Sequence, residues 1–311
     1  MQLVKDPIVD TLKGVRCFDV AGPRDVTMRA AFVPASETAT LRGSVIFSPG
    51  RTEFIEKHAN TVADLVARGF HVLIVDQRGQ GCSQRLTANP MAGHMDSFQD
   101  AAHHLGLAVE AAGPELAGPH ILLCHSMGGC IGLEALLLGV LPNVRGAVFI
   151  SPMWGIKAPK LVRHLAAFLC RLGQDQAIAP STPKVWKPEA FATNLLTHDR
   201  QQLARANALF LAEPALQLAG PTNGWLQQAY ETMDGFTAQR LSQLTLPVLV
   251  VNAQQEALVD NAAHARIVSQ LPQARLETIT GAKHELLHER PDLRNQCLTH
   301  LDNWLNNLPN S

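Results

Sequence analysis

Short apolar runs rich in β-branched residues recur along the first half of the chain, at 15–20 (VRCFDV), 27–33 (TMRAAFV), 43–48 (GSVIFS), 70–75 (FHVLIV), 119–124 (PHILLC) and 145–151 (RGAVFIS). Two more follow late, at 246–252 (LPVLVVN) and 274–280 (ARLETIT). The middle runs are apolar throughout rather than alternating. That pattern predicts strands buried on both faces, as in a parallel sheet covered by helices. Between the runs, 53–68, 97–112, 127–139, 261–271 and 291–307 repeat apolar residues at helical spacing; in the first, Phe54, Ala59, Val62, Leu65 and Val66 fall near one face. Strand–helix alternation of this kind predicts an α/β fold: a mostly parallel, eight-stranded, doubly wound sheet flanked by helices.

Residues 153–240 break the rhythm. They place Pro159, Pro180, Pro183, Pro188, Pro214 and Pro221 between helical stretches such as LVRHLAAFLCRL and RQQLARANALFLA, with no buried strand. A structureless insertion of about ninety residues would be out of place in a compact domain. The expectation is a mainly helical cap between strands six and seven, with 1–152 and 241–311 as the core. No internal repeat or low-complexity tract interrupts either part.

Composition narrows the partners rather than the fold. The chain has 311 residues, 46% hydrophobic and 17% charged, with a formal charge of −1. A near-neutral balance gives no general pull toward nucleic acid, so no nucleic-acid partner is expected. MQLVKDPIVD carries acids and no apolar h-region, so it does not read as a secretory signal. No apolar run of about eighteen residues predicts a spanning helix. The six cysteines form no CxxC pair and suit neither a zinc site nor a disulfide framework. Free thiols, no metal, no cofactor and a cytoplasmic location are the expectation.

The candidate chemistry lies at strand ends. Strand five runs into Cys124-His125-Ser126-Met127-Gly128, which resembles G-x-S-x-G with cysteine at the first glycine. A sharp strand-to-helix turn would hold Ser126 in a strained conformation and lift its hydroxyl above the sheet. The Met127 amide would then sit at a helix N-terminus, where partial positive charge favours an oxyanion. A serine hydroxyl needs a base. Strand eight runs into Gly281-Ala282-Lys283-His284-Glu285, and His284 is the candidate. His288 reads as supporting or exposed, and His125, inside the elbow, as pointing away from the reacting centre. The acid that orients the imidazole should follow strand seven, where both Glu256 and Asp260 stand; Asp260 also reads as the N-cap of the next helix. After strand three, Ser48-Pro49-Gly50-Arg51 offers the Arg51 amide as second oxyanion donor. The Arg51 side chain reads either as a solvated loop cation or as a group for an anionic part of the substrate. Asp76-Gln77-Arg78-Gly79-Gln80-Gly81 looks like a scaffold turn rather than a phosphate loop. Trp154, Trp186 and Trp225 are candidates to line a substrate pocket, or to pack the core.

The pieces SPGRTEFIEKH, VDQRGQGCSQR, CHSMGG, NAQQEALVDN and GAKHE, with NLLTHDRQQLARANALFLAEPALQLAGPTNGWL in the insertion, resemble the lysophospholipase and monoacylglycerol lipase branch of the α/β-hydrolases over nearly the whole chain. The resemblance implies an α/β-hydrolase fold and a serine esterase acting on a single-acyl lipid. It also implies Ser126, Glu256 and His284 as triad, with the Arg51 and Met127 amides at the oxyanion. Two departures are visible: Pro49-Gly50 stands where monoacylglycerol lipases usually have His-Gly, and Cys124 where they have Gly. A small-ester carboxylesterase, a peptidase and a non-catalytic binding protein are the alternative classes. The apolar stretch 161–172 (Leu161, Leu165, Phe168, Leu169, Leu172) leaves room for peripheral membrane contact through the cap. Oligomeric state is not encoded in any motif.

Overall fold

In a computed structural model that describes residues 3–308, eight strands form one sheet. They are β1 (Arg16–Ala21), β2 (Thr27–Val33), β3 (Gly43–Ser48), β4 (Phe70–Val75), β5 (His120–His125), β6 (Val144–Ile150), β7 (Val248–Ala253) and β8 (Ala274–Ile279), in the order β1-β2-β4-β3-β5-β6-β7-β8. The pairs from β4 through β8 are parallel, and β2 runs antiparallel to both β1 and β4. This is the mostly parallel sheet that the apolar runs predict.

The central strands read as unbroken apolar runs because both of their faces are covered. Val45, Phe47, Val72, Ile74, Ile121, Leu123, Val148 and Ile150 point into one buried cluster. Their neighbours Ile46, Leu73, Val75, Leu122, Cys124, Ala147 and Phe149 point into the other. Helices α1 (Ala59–Ala67) and α9 (Pro291–Asn306) close the first face, through Val62, Leu65, Leu301 and Trp304. Helices α2 (Phe98–Ala112) and α3 (Met127–Leu138) close the second.

The segment between β6 and β7 carries α4 (Lys160–Arg171), α5 (Arg200–Ala212), α6 (Asn223–Asp234) and the short α7 (Ala238–Leu241); α8 (Asn261–Val268) follows β7. Helix α6 packs on α2, α3 and α4. The insertion is less helical than expected. Residues 172–199 form turns and extended backbone, because Pro180, Pro183 and Pro188 remove amide donors and disfavour helix just ahead of themselves. The helix expected over 53–68 is also shorter, with a 3₁₀ turn at Ile55–His58 before α1. There the Ile55 N–H donates to the Asp76 carboxylate at 2.8 Å, which holds the chain in a turn.

Chain order fixes where a site can form. From β3 the chain passes through α1 to β4 on one side, then through α2 back across to β5 on the other. The carboxyl ends of β3 and β5 therefore flank a switch point, the crevice where open α/β sheets bind ligands.

Candidate active site

Ser126 sits at that switch point, between the end of β5 and the start of α3. Its backbone has φ 50° and ψ −119°, a strained conformation for a residue with a side chain. The turn is locked from both sides: the Ser126 N–H donates to the Ile150 carbonyl, and its own carbonyl accepts from the Gly129 and Met153 amides. Close approach of α3 to the sheet explains two glycines. A Cβ on Gly128 would lie 1.9 Å from the Ser48 carbonyl oxygen, and one on Gly132 would lie 2.3 Å from Cys124 Sγ. The thiol at the first position of the elbow is thus accommodated by the missing side chain one helical turn further on.

His284, on the loop after β8, reaches Ser126 Oγ with Nε2 at 2.9 Å and Glu256 Oε2 with Nδ1 at 2.7 Å. Glu256, after β7, turns its other oxygen to the amides of Ala257, Leu258 and Val259. Burial alone would raise this carboxyl; the hydrogen bond and charge of His284, with the Leu258 and Val259 amides, hold it at about 2 instead. Asp260 does not reach the imidazole pair. Its carboxylate accepts from the Ala262 amide and caps α8.

Gly50 packs against the elbow, where an added Cβ would lie 3.0 Å from Ser126 Cβ. Arg51 follows it, and Met127 opens α3. Among the described residues neither the Arg51 nor the Met127 N–H is spent on another group, so both are free to receive charge. Gln80 ties the two sides together: its Oε1 accepts from the Thr52 amide at 2.6 Å and its Nε2 lies 3.3 Å from Met127 Sδ. That is the local purpose of the turn after β4. Asp76 supports it from below with hydrogen bonds to the Ile55 and Cys82 amides and an ion pair to buried Arg29.

A buried polar network behind the array escapes sequence reasoning. Glu53 accepts from the Gly50 amide and faces His125 Nδ1 at 2.9 Å and His58 Nε2 at 3.1 Å. His125 Nε2 faces the His284 carbonyl at 3.3 Å. Both ring nitrogens of His125 therefore face acceptors, an arrangement that favours the doubly protonated imidazolium. Burial opposes that charge, but Glu53 outweighs it and raises the His125 pKa. Burial likewise opposes charge on Glu53, and His125, His58 and Lys57 hold it well below the usual carboxylate range. The only forward signal is the density of charge in TEFIEKH next to an apolar helix. Glu53, Glu285 and His288 come close enough to suggest a metal cluster, but the Lys57 ammonium stands between the two carboxylates, at 3.5 Å and 2.6 Å. A fixed cation already balances them. His288 is buried, with Nε2 on the Lys57 carbonyl.

The tryptophans separate. Trp225, on α6, points Nε1 at Met127 Sδ from 3.4 Å and so lies beside the elbow. Trp154, for which the sequence allows a pocket or a core position, lies in the core. Its N–H donates to the Gly129 carbonyl, and its ring packs on Phe149 and His264. The chain is still bound to the elbow at Met153, so the next residue packs against α3; the small cavity that Trp154 borders, with Tyr230 and Asp260, is not the one that Arg51 lines. A cavity of about 580 Å³ lies between the core and the insertion, lined by Arg51, Thr52 and Glu285 and by Trp186, Leu203 and Phe210 of the insertion; its wall includes the Arg51 loop and the neighbour of His284 but not Ser126, Glu256 or His284 themselves.

A family model described as "Serine aminopeptidase, S33" matches residues 39–291. Lysophospholipase L2 of Escherichia coli (strain K12) is 32% identical, over 84% of this chain and 80% of that protein. The chain belongs to the α/β-hydrolases, in the branch that holds the lysophospholipase L2 proteins. A probable lysophospholipase L2 of Haemophilus influenzae is 27% identical over 92% of this chain and 91% of its own. Among solved α/β-hydrolase structures, a monoglyceride lipase from Saccharomyces cerevisiae superposes with a TM-score of 0.74 at 18% identity, covering 96% of this chain and 98% of that one. A carboxyl esterase from Bacillus coagulans gives 0.76 at 15% identity, covering 94% and 98%. At those identities the likeness speaks for the fold. As in the sequence reading, no described helix is long and apolar enough to cross a membrane.

Proposed function

We propose that this α/β-hydrolase is a serine esterase that releases the fatty acid from single-acyl lipids, lysophospholipids or monoacylglycerols, through an acyl-enzyme. The observation that carries the reading is the His284 ring, placed between Ser126 Oγ at 2.9 Å and Glu256 at 2.7 Å. Ser126 Oγ attacks the ester carbonyl carbon while His284 Nε2 takes its proton. Glu256 keeps the imidazole in the tautomer with Nδ1 protonated and stabilises the imidazolium. The amides of Arg51 and Met127 receive the oxyanion. The imidazolium then protonates the leaving alcohol, and water, deprotonated by His284, cleaves the acyl-serine. No cofactor enters the scheme.

Residues 153–240 serve as the cap in this reading. The lipid assignment draws on the lysophospholipase relatives and on the apolar wall of Trp186, Leu203 and Phe210 in the cavity that Arg51 and Thr52 also line. It also draws on α4, whose Leu161 (72% exposed), Leu165, Phe168 and Leu172 stand in solvent beside Lys160 and Arg171. We infer that this face dips into the surface of a lipid aggregate.

Fluorophosphonate labelling of Ser126, with fatty-acid release from a lysophospholipid and from a monoacylglycerol of the same chain, tests the proposal. Ser126→Ala should abolish labelling and lower turnover about 10⁴-fold or more. Retained turnover would refute the nucleophile. Acetate and butyrate aryl esters cleaved much faster than octanoate or decanoate would replace the lipid reading with a small-ester carboxylesterase.

A further inference from the structure

Arg51 carries more than an amide. Its guanidinium lies beneath the seam where the insertion meets the core: Nη2 donates to the Ala219 carbonyl and would collide, at 2.5 Å, with any Cβ on Gly93. The seam itself is stitched by hydrogen bonds between Gly93 and Gly220 and between Thr222 and Gly93. The Trp225 ring lies 5.8 Å from Cζ on another side. The group is thus held in one place, and Arg51 lines the cavity under the insertion. Yet among the described residues no carboxylate pairs with it, and its buried Nε has no hydrogen-bond partner. Of the other cations in the cavity wall, the Lys57 ammonium is paired with Glu285, while Lys184, like Arg51, has only backbone carbonyls, those of Ile178 and Ala179. The fully buried arginines of the core do have acids, Arg29 with Asp76 and Glu56 and Arg78 with Asp96; Arg85, like Arg51, has only backbone carbonyls, but it spends Nε and both terminal nitrogens on them.

Keeping a largely buried guanidinium without a counter-ion opposes stability. Burial pushes it down only to about 10, so it remains a cation at neutral pH. Such a group is complementary to an anion that arrives with the substrate, and its planar fork suits phosphate oxygens. The geometry of the chain points to a phosphodiester on the glycerol. The Arg51 amide is the proposed oxyanion donor, so its backbone marks where the ester carbonyl sits. The reach of an arginine side chain from backbone to guanidinium is comparable with the span, through the glycerol, from an acyl carbonyl carbon to phosphorus in a lysophospholipid.

Resting on the single-acyl lipid reading, we propose that the Arg51 guanidinium binds the phosphodiester of the substrate head group and makes this enzyme selective for lysophospholipids over the neutral monoacylglycerols. A monoacylglycerol would leave the Arg51 cation uncompensated in the closed site; a lysophospholipid supplies its counter-ion.

The test compares three esters of one acyl chain in the purified full chain: a lysophosphatidylethanolamine, the corresponding monoacylglycerol and the aryl ester. Each is assayed with the natural enzyme, Arg51→Gln and Arg51→Lys, with Tm recorded for each protein. Any disturbance of the loop amide or the insertion lowers all three substrates together, so the readout is the ratio of kcat/KM on lysophospholipid to that on monoacylglycerol. That ratio should fall about 10- to 100-fold in Arg51→Gln, chiefly through KM, and recover in part in Arg51→Lys. An unchanged ratio in Arg51→Gln overturns the proposal, whether the common activity drops or not. Hydrolysis of the aryl ester but of neither lipid by the natural enzyme overturns the lipid reading itself, and the Arg51 role with it.

Discussion

Replacing Glu256 by Gln changes one atom at the far end of the His284 ring and should disable the base. The carboxyl is held at about 2 against an ordinary 4.5, a displacement that corresponds to about 3 kcal/mol of preference for the ionised form. That preference is shared between His284 and the amides after β7. In Glu256→Gln the amide oxygen can still accept from Ala257 and Leu258, as Oε1 does now. The NH₂ group is then left facing His284 Nδ1. It can only donate, so Nδ1 must become the acceptor and the ring proton moves to Nε2. An Nε2 that carries a proton cannot take one from Ser126. The expected loss in kcat is therefore that of a wrong tautomer, about 10³- to 10⁴-fold, with KM little changed. Asp260→Asn is the control. Asparagine caps a helix about as well as aspartate, so α8 should lose at most about 0.5 kcal/mol and kcat should stay within about twofold. Steady-state turnover and the acylation burst on an aryl octanoate read both. If Asp260→Asn is the more damaging change, or Glu256→Gln stays within about tenfold of the parent, the reasoning from the 2.7 Å contact fails.

Glu256 should also leave a mark on acid stability. Because its folded pKa is depressed, its contribution is complete above the unfolded value of 4.5 and is lost as pH falls toward about 2; Tm of Glu256→Gln should fall less steeply than that of the parent in this window, and parallel curves would refute the linkage. Gly132→Ala places a Cβ about 2.3 Å from Cys124 Sγ and should destabilise by about 1–3 kcal/mol in denaturant unfolding, with much of the loss recovered by adding Cys124→Gly; additive losses would refute the packing argument. Leu161→Asp with Phe168→Asp should weaken co-sedimentation with lipid vesicles while Tm holds, since both side chains are more than half exposed; undiminished sedimentation would move the lipid surface away from α4.

The strands and the order of the chemical loops were legible in the sequence for one physical reason. A strand covered on both faces has no polar position, and a residue that ends such a strand can only emerge at the sheet edge. Val248–Ala253 so delivered Glu256 to the same edge as Ser126, while the edge strand Ala274–Ile279, which carries Arg275, Glu277 and Thr278, delivered His284 as the last strand of the alternation. What was not legible depends on side chains from distant segments meeting in burial. Glu53 and His58 look like surface charge in a linear reading and His125 only like a residue turned away from the reacting centre; only the folded loop shows that Glu53 meets both imidazoles. Local pattern also left Trp154 undecided between pocket and core. An aromatic just past the last strand residue reads as the start of the insertion, whereas Met153 is still hydrogen-bonded to Ser126 and carries Trp154 into the core. Residues 172–199 were obscure for the opposite reason: prolines mark where helix stops but not what replaces it.

The two departures from the lipase pattern acquire a physical meaning when taken with their contacts. Cys124 fills space that Gly132 leaves open, so the elbow keeps its shape with a different division of volume between strand and helix. At the other loop, Pro49 contributes no N–H, while its carbonyl faces the Gln77 amide and the Gly50 N–H goes to Glu53. The first amide of that loop free to meet an oxyanion is therefore the Arg51 N–H. That places a long cationic side chain on the very residue whose backbone marks the reacting carbonyl, a coincidence a neutral substrate would not use. Under the proposed roles of Arg51, the ester and the charge of the substrate would be recognised by one residue, and the distance between them in the molecule is what the loop would measure.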